Sequence, residues 1–172
     1  KPPGGRTLLV TKFDETLQYD GRDYALGANR WADGSIAPDG FRLLQRFHLE
    51  GTTPVWTFLC ADALIEKRIW MEDGANTTFV RYQLLRSTTG AADLEIRALV
   101  NYRDFHAVTR PGELPVEVTE VENGLRIVAS ENATPFYLLG EAVEVEPRQE
   151  WYRNFNLTAE RDRGLDYRED HF

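Results

Sequence analysis

The stretch Asp93-Leu94-Glu95-Ile96-Arg97-Ala98-Leu99-Val100-Asn101-Tyr102 decides the fold class. In an extended chain Leu94, Ile96, Ala98, Val100 and Tyr102 fall on one side and Asp93, Glu95, Arg97 and Asn101 on the other, with Leu99 the one exception. Successive side chains of a strand point to opposite faces, so this period of two predicts an antiparallel strand with one packed face and one wet face.

Outward from this run the same period recurs, punctuated by turn chemistry. Asp20-Gly21 follows Leu17 and Tyr19, Asp73-Gly74 follows Trp70 and Met71, and Asn123-Gly124 lies between Val121 and Leu125. Each pair marks a hairpin whose glycine is free to take a positive φ. Further strands are expected at Thr7 to Phe13, Leu43 to Leu49, Val55 to Cys60, Ile65 to Met71, Thr78 to Leu85, Val116 to Val121, Leu125 to Ala129, Phe136 to Leu139 and Ala142 to Val145. About ten strands exceed what one flat sheet carries. Helical periodicity is confined to Leu157 to Arg163, with Asn156 placed as N-cap and Gly164 as stop. The expected fold is therefore all-β, a large antiparallel β-sandwich in a single domain spanning residues 1–172, with a closed barrel as the second architecture. Ile65 to Trp70 mixes charged and apolar residues on both sides, which predicts a strand covered on both faces. The opening Lys1-Pro2-Pro3-Gly4-Gly5 reads as a linker, so the chain is expected to be part of a longer polypeptide.

An apolar fraction of 42% with 28% charged residues is that of a folded globular chain and excludes the disordered and fibrous classes. The net charge of −8, with Lys and Arg scattered singly, argues against nucleic acid as a partner. Cys60 stands alone in the apolar run Val55 to Cys60, which suits a buried thiol and favours the cytoplasm. No apolar stretch approaches the ~18 residues of a membrane span, so no membrane partner is expected.

The motifs of common catalysts are missing. His48, His106 and His171 are dispersed without metal-ligand spacing, and neither a nucleophile elbow nor a phosphate loop is present, so no metal and no cofactor are expected. Acidic residues alternating on strands, such as Glu117, Glu144 and Glu146, read as solvated outer-face groups. Among the aromatics, Trp56 and Trp70 lie within apolar runs and read as core, whereas Trp31 lies in an irregular stretch. Asn29, Arg30 and Trp31 combine an amide, a guanidinium and a ring able to hold a sugar or dock a neighbouring domain. A second cluster, Asn101, Tyr102, Arg103, Asp104, Phe105 and His106, follows the cleanest strand. Both clusters are expected at the surface. On the alternative reading Asn29 and Arg30 satisfy loop backbone groups, and Arg103 and Asp104 pair locally.

The order of several landmarks resembles the N-terminal domain of bacterial and archaeal glycogen debranching enzymes of the amylo-α-1,6-glucosidase type. They are Thr11 to Leu17, Leu26 to Arg30, Pro54 to Thr57, Ile65 to Met71, Asn76 to Tyr82, Asn101 to His106, Trp151 to Phe155 and Glu160 to Asp170. The resemblance implies a large β-sandwich that precedes an α-helical barrel catalytic domain. It therefore implies no catalytic residue in this chain, a parent glycoside hydrolase of glycogen catabolism, and the C-terminal catalytic domain and α-glucan as partners. A Gly-rich opening and an Arg-Arg-Tyr-His-like strand usual in the family are missing, and the family continues beyond Asp170 into further β structure, so the sandwich is expected to be truncated at both ends. On this reading Asn29, Arg30, Trp31, Asn101, Tyr102, Arg103, Asp104 and His106 are the candidates for glucan or inter-domain contact. The alternative is an independent carbohydrate-binding β-sandwich protein.

Overall fold

The computed structural model describes residues 5–104, 107–112, 115–141 and 143–172. Strand accounts for 57% of the chain and helix for 6%, in several antiparallel sheets with no barrel. The strands are β1 (Thr7–Tyr19), β2 (Arg22–Ala25), β3 (Ala28–Arg30), β4 (Ile36–Asp39), β5 (Leu44–Glu50), β6 (Thr53–Cys60), β7 (Ala63–Met71), β8 (Thr78–Arg86), β9 (Asp93–Asp104), β10 (Glu117–Val121), β11 (Gly124–Val128), β12 (Phe136–Leu139), β13 (Tyr152–Asn156) and β14 (Arg168–His171). One short helix, α1 (Thr158–Asp162), and a 3-10 turn at Gly40–Leu43 complete the elements among the described residues. The chain divides into two compact units: one holds Lys1–Phe13, Arg30–Ser35 and Ala98–Phe172, the other Asp14–Asn29 and Ile36–Arg97.

The second unit is built on the four-stranded sheet β5-β6-β7-β8. Its register places Phe47, Trp56, Lys67 and Tyr82 in one row, so these residues share a face with Phe58, Cys60, Ala63 and Ile65. Against that face pack Leu17 and Tyr19 of β1, together with Leu26, forming one continuous core. Hairpin β1–β2 and the four-stranded sheet are thus the two layers of a sandwich within this unit. The hairpin turns at Asp20-Gly21, both residues at positive φ, as the dipeptide predicts. Burial pushes the Cys60 thiol up to about 11, in keeping with a packed and unreactive cysteine.

Glu15 lies on the same face of β1 as Leu17 and Tyr19 and is buried with them. A carboxylate here is tolerated because Lys67 Nζ donates to its Oε1 and the Tyr82 hydroxyl donates to the same oxygen at 2.6 Å. Burial, and the carboxylate beside it, push the Tyr82 hydroxyl well above the ordinary phenol range and hold it as a donor.

In the first unit the sheet β10-β11-β12 packs Ile127 and Phe136 with Val100. The hairpin expected at Asn123-Gly124 forms, but it turns at Glu122-Asn123, with Asn123 at φ 61° and Val121 paired to Gly124. Gly124 is needed for a different reason from a positive φ. A Cβ on it would lie 2.0 Å from the Leu138 carbonyl oxygen of β12.

Other expectations are corrected. The helix begins at Thr158 with Leu157 as its cap residue, so Asn156 is the end of β13 and not the N-cap. Residues 143–145 form no strand, and Ala142 lies outside the described residues. Strands β3, β4, β13 and β14 carry too few alternating residues to have been expected. In β9 one face was expected to be wet, yet Leu99 and Asn101 are among the most buried residues of the chain. Trp70, expected in the core, is 37% exposed.

The Gly124 geometry yields a direct expectation. Gly124→Ala drives a methyl group into a backbone carbonyl that cannot rotate away and lowers stability by about 3 kcal/mol in urea denaturation. A midpoint unchanged from wild type would show that β11 and β12 do not approach as described.

Candidate functional site

The second expected cluster is where the first unit concentrates its polar side chains. Asn101 and Arg103 lie on one side of β9, and Glu169 and His171 lie on one side of β14. Backbone bonds tie the two strands at Val100 and Phe172, the amide of Val100 donating to the Phe172 carbonyl at 2.7 Å. Glu169 is 0% exposed. Arg103 closes on it as a fork: Nε donates to Oε1, and Nη2 donates to Oε2 at 2.8 Å. Asn101 Nδ2 donates to Oε1 as well, at 3.2 Å. Three donors therefore answer one carboxylate that water does not reach.

The remaining capacity of Asn101 is used in turn. Its Oδ1 accepts from Thr109 Oγ1 at 2.5 Å, and its Nδ2 lies 3.4 Å from Nδ1 of the buried His171. The His171 ring packs on Phe155 with centroids 4.5 Å apart, and Phe155 packs on Trp31 at 4.7 Å. Trp31 and Phe155 are also bridged through their backbones. The structure thus brings Trp31 and Asn101, members of the two separate clusters, into one chain of contacts through Phe155 and His171.

The individual residues fare differently from the expectation that both clusters lie at the surface. Asn29 is buried and donates to Asp14 Oδ2 at 2.8 Å, and Asn101 is buried as described. Both amides are buried where each meets a polar partner, Asp14 for Asn29 and Glu169 with Thr109 for Asn101. Arg30 and Asp104 are exposed, and Trp31, Tyr102 and Arg103 are half-buried. Arg103 pairs with Glu169, 66 residues away, and also donates locally through Nη1 to the Asp104 carbonyl oxygen at 3.1 Å. His106 and Phe105 lie outside the described residues. Glu169, Thr109, Phe155 and His171 were not among the site candidates read from the sequence. Glu169 sits in the charged run Glu160 to Asp170, and such a run ordinarily signals a solvated face.

Beside Arg103 opens a cavity of about 290 Å³, lined also by Val108, Leu157, Thr158, Glu160 and Asp166. Asp166 accepts from Arg110 Nη2 at 3.1 Å. Among the described residues no group of three or more His, Cys, Asp or Glu is gathered to hold a metal. Among the described residues no helix is long and apolar enough to cross a membrane. Chemically the cluster fixes strands: its carboxylate is shielded and engaged at both oxygens by Arg103 and Asn101.

Breaking this pair should be costly and partly reversible. Arg103→Ala leaves Glu169 buried without its cation and lowers unfolding stability by about 4 kcal/mol. Combining it with Glu169→Leu, which removes the stranded charge, should recover a large part of that loss. If the double variant is no more stable than Arg103→Ala, the buried charge is not the source of the cost.

Comparison with known proteins agrees with the landmarks seen in the sequence. The family model described as glycogen debranching enzyme N terminal matches residues 1–172, the whole of the chain. No curated protein and no solved structure matches it. With all of its residues covered by that model, the chain belongs to the glycogen debranching enzyme N-terminal family.

Proposed function

We propose that the chain is a non-catalytic module of a glycogen debranching enzyme, a glycoside hydrolase acting at α-1,6 branch points, and that it supports the catalytic domain of the same polypeptide and positions α-glucan. The observation that carries this reading is the family match along the entire chain. The geometry supports it from a second direction. Glycoside hydrolysis needs two carboxyl groups open to one cleft. Among the described residues, the two most deeply buried glutamates, Glu15 and Glu169, are instead held by Lys67 and Arg103. A cytoplasmic setting accords with the single buried thiol of Cys60.

Of the residues assigned to glucan or inter-domain contact, Arg30, Trp31, Tyr102 and Asp104 retain side-chain surface for it, while Asn29 and Asn101 are buried and Arg103 is engaged by Glu169. The parent enzyme tests this division. Arg30→Ala should raise KM on branched glucan about fivefold, equivalent to about 1 kcal/mol of lost binding, with an unchanged unfolding temperature. Trp31→Ala, which also strips Phe155 of its ring partner, should lower the unfolding temperature as well. Wild-type KM and stability in both variants would remove these residues from the functional surface.

A further inference from the structure

The face of the four-stranded sheet opposite the core carries a second, different arrangement. Register places Glu50 opposite Thr53 and Trp70 opposite Phe79, and continuing the β6–β7 ladder brings Thr53 beside Trp70. One row across the sheet therefore reads carboxylate, hydroxyl, indole, phenyl. The two rings stack across β7 and β8 with centroids 5.3 Å apart and planes 17° apart. They are exposed to 37% and 42% respectively. The next row holds His48, Val55, Arg68 and Arg81, and the row beyond it Arg46, Thr57, Glu66 and Gln83.

These polar groups are held in place. Arg68 donates to Glu66 through Nε and to both oxygens of Glu50 through its two terminal nitrogens, and His48 Nε2 lies 3.3 Å from Glu50 Oε1. Arg81 Nη2 donates to Gln83 Oε1 at 2.8 Å. Val55 beneath this net is fully buried. At the end of the sheet a groove of about 480 Å³, lined by Thr52, Thr53, Pro54, Ile69, Trp70 and Met71, adjoins the rings.

We infer that the Trp70–Phe79 pair is a binding platform for an α-1,4-linked glucan chain, a site that rests on the proposed role in glucan positioning and gives it residues. A pyranose offers one face of C–H groups and a rim of hydroxyls. The outer side of the stacked pair supplies an apolar surface for the former, and Thr53, Arg81, Gln83 and Glu50 supply donors and acceptors for the latter. A protein partner fits this face less well, because the centre of a protein interface is depleted of charge and this face is crossed by fixed ion pairs. A neutral polyhydroxyl chain needs no counter-charge and leaves the net intact. The two rings form a contiguous apolar pair on an otherwise charged face.

The test is isothermal titration of the 172-residue chain with maltoheptaose, with affinity electrophoresis in glycogen gels as the second readout. Wild type should bind saturably. Trp70→Ala and Phe79→Ala should each weaken binding roughly tenfold. Trp70→Phe, which keeps a ring, should retain most of it, and Tyr137→Ala, an exposed ring in the first unit, should leave it unchanged. Because losing either ring also ends the stacking, the unfolding temperature is recorded beside each titration, and only variants still folded at the titration temperature are compared. Undiminished binding by Trp70→Ala, or no saturable binding by wild type, overturns the platform. The module reading does not fall with it, since that rests on KM in the parent enzyme with Arg30 and Trp31 changed and Trp70 intact.

Discussion

Taking a carboxylate out of water costs several kcal/mol unless a cation and further hydrogen bonds answer it, and each unit of this protein is organised around one such group. In the second unit Glu15 stands in line with Leu17 and Tyr19 and is met by Lys67 and Tyr82 from β7 and β8. In the first, Glu169 is met by Arg103 and Asn101 from β9. In both, the partners come from a different strand, so the ion pair is available only when that strand is packed in one register. A slip by one residue would turn every side chain of the strand to the opposite face and strand the charge. The apolar cores supply the driving force, and the buried carboxylates select one arrangement.

The same constraint explains why the two faces of the four-stranded sheet differ so much. The inner face must accommodate Glu15, and it does so with one lysine set between the aromatic rings of Trp56 and Tyr82, at 5.9 and 5.8 Å from their centroids. The outer face has no buried charge to satisfy. Its arginines and glutamates pair with one another at the surface, and its stacked rings remain open. Charged groups answer a buried carboxylate on one side and one another on the other.

Local pattern was legible where one face of a strand meets water. The alternation of residues 93–102, the Asp20-Gly21 turn and the apolar runs of β6 and β7 each led to a real element within a residue or two of its bounds. Pattern failed where tertiary contacts override it. Leu99 broke the alternation of β9 because the strand is buried on both sides there, and Asn101 followed it inward to Glu169. Trp70 sits in an apolar run yet faces out, since the period of two places it with Arg68 and not with Ile69. Gly124 announced a turn and instead marks a close approach of two backbones. The pairing of Arg103 with Glu169 joins residues 66 apart, and no local period encodes it. The family resemblance, by contrast, was carried by the order of landmarks along the whole chain, and the family match spans the same residues.

The central claim is that this all-β chain handles α-glucan without cutting it. The most direct measurement is glucose release from branched limit dextrin by the chain purified to homogeneity. The account predicts none above a blank. Turnover that persists through purification and vanishes when one acidic residue of this chain is replaced by its amide would contradict it.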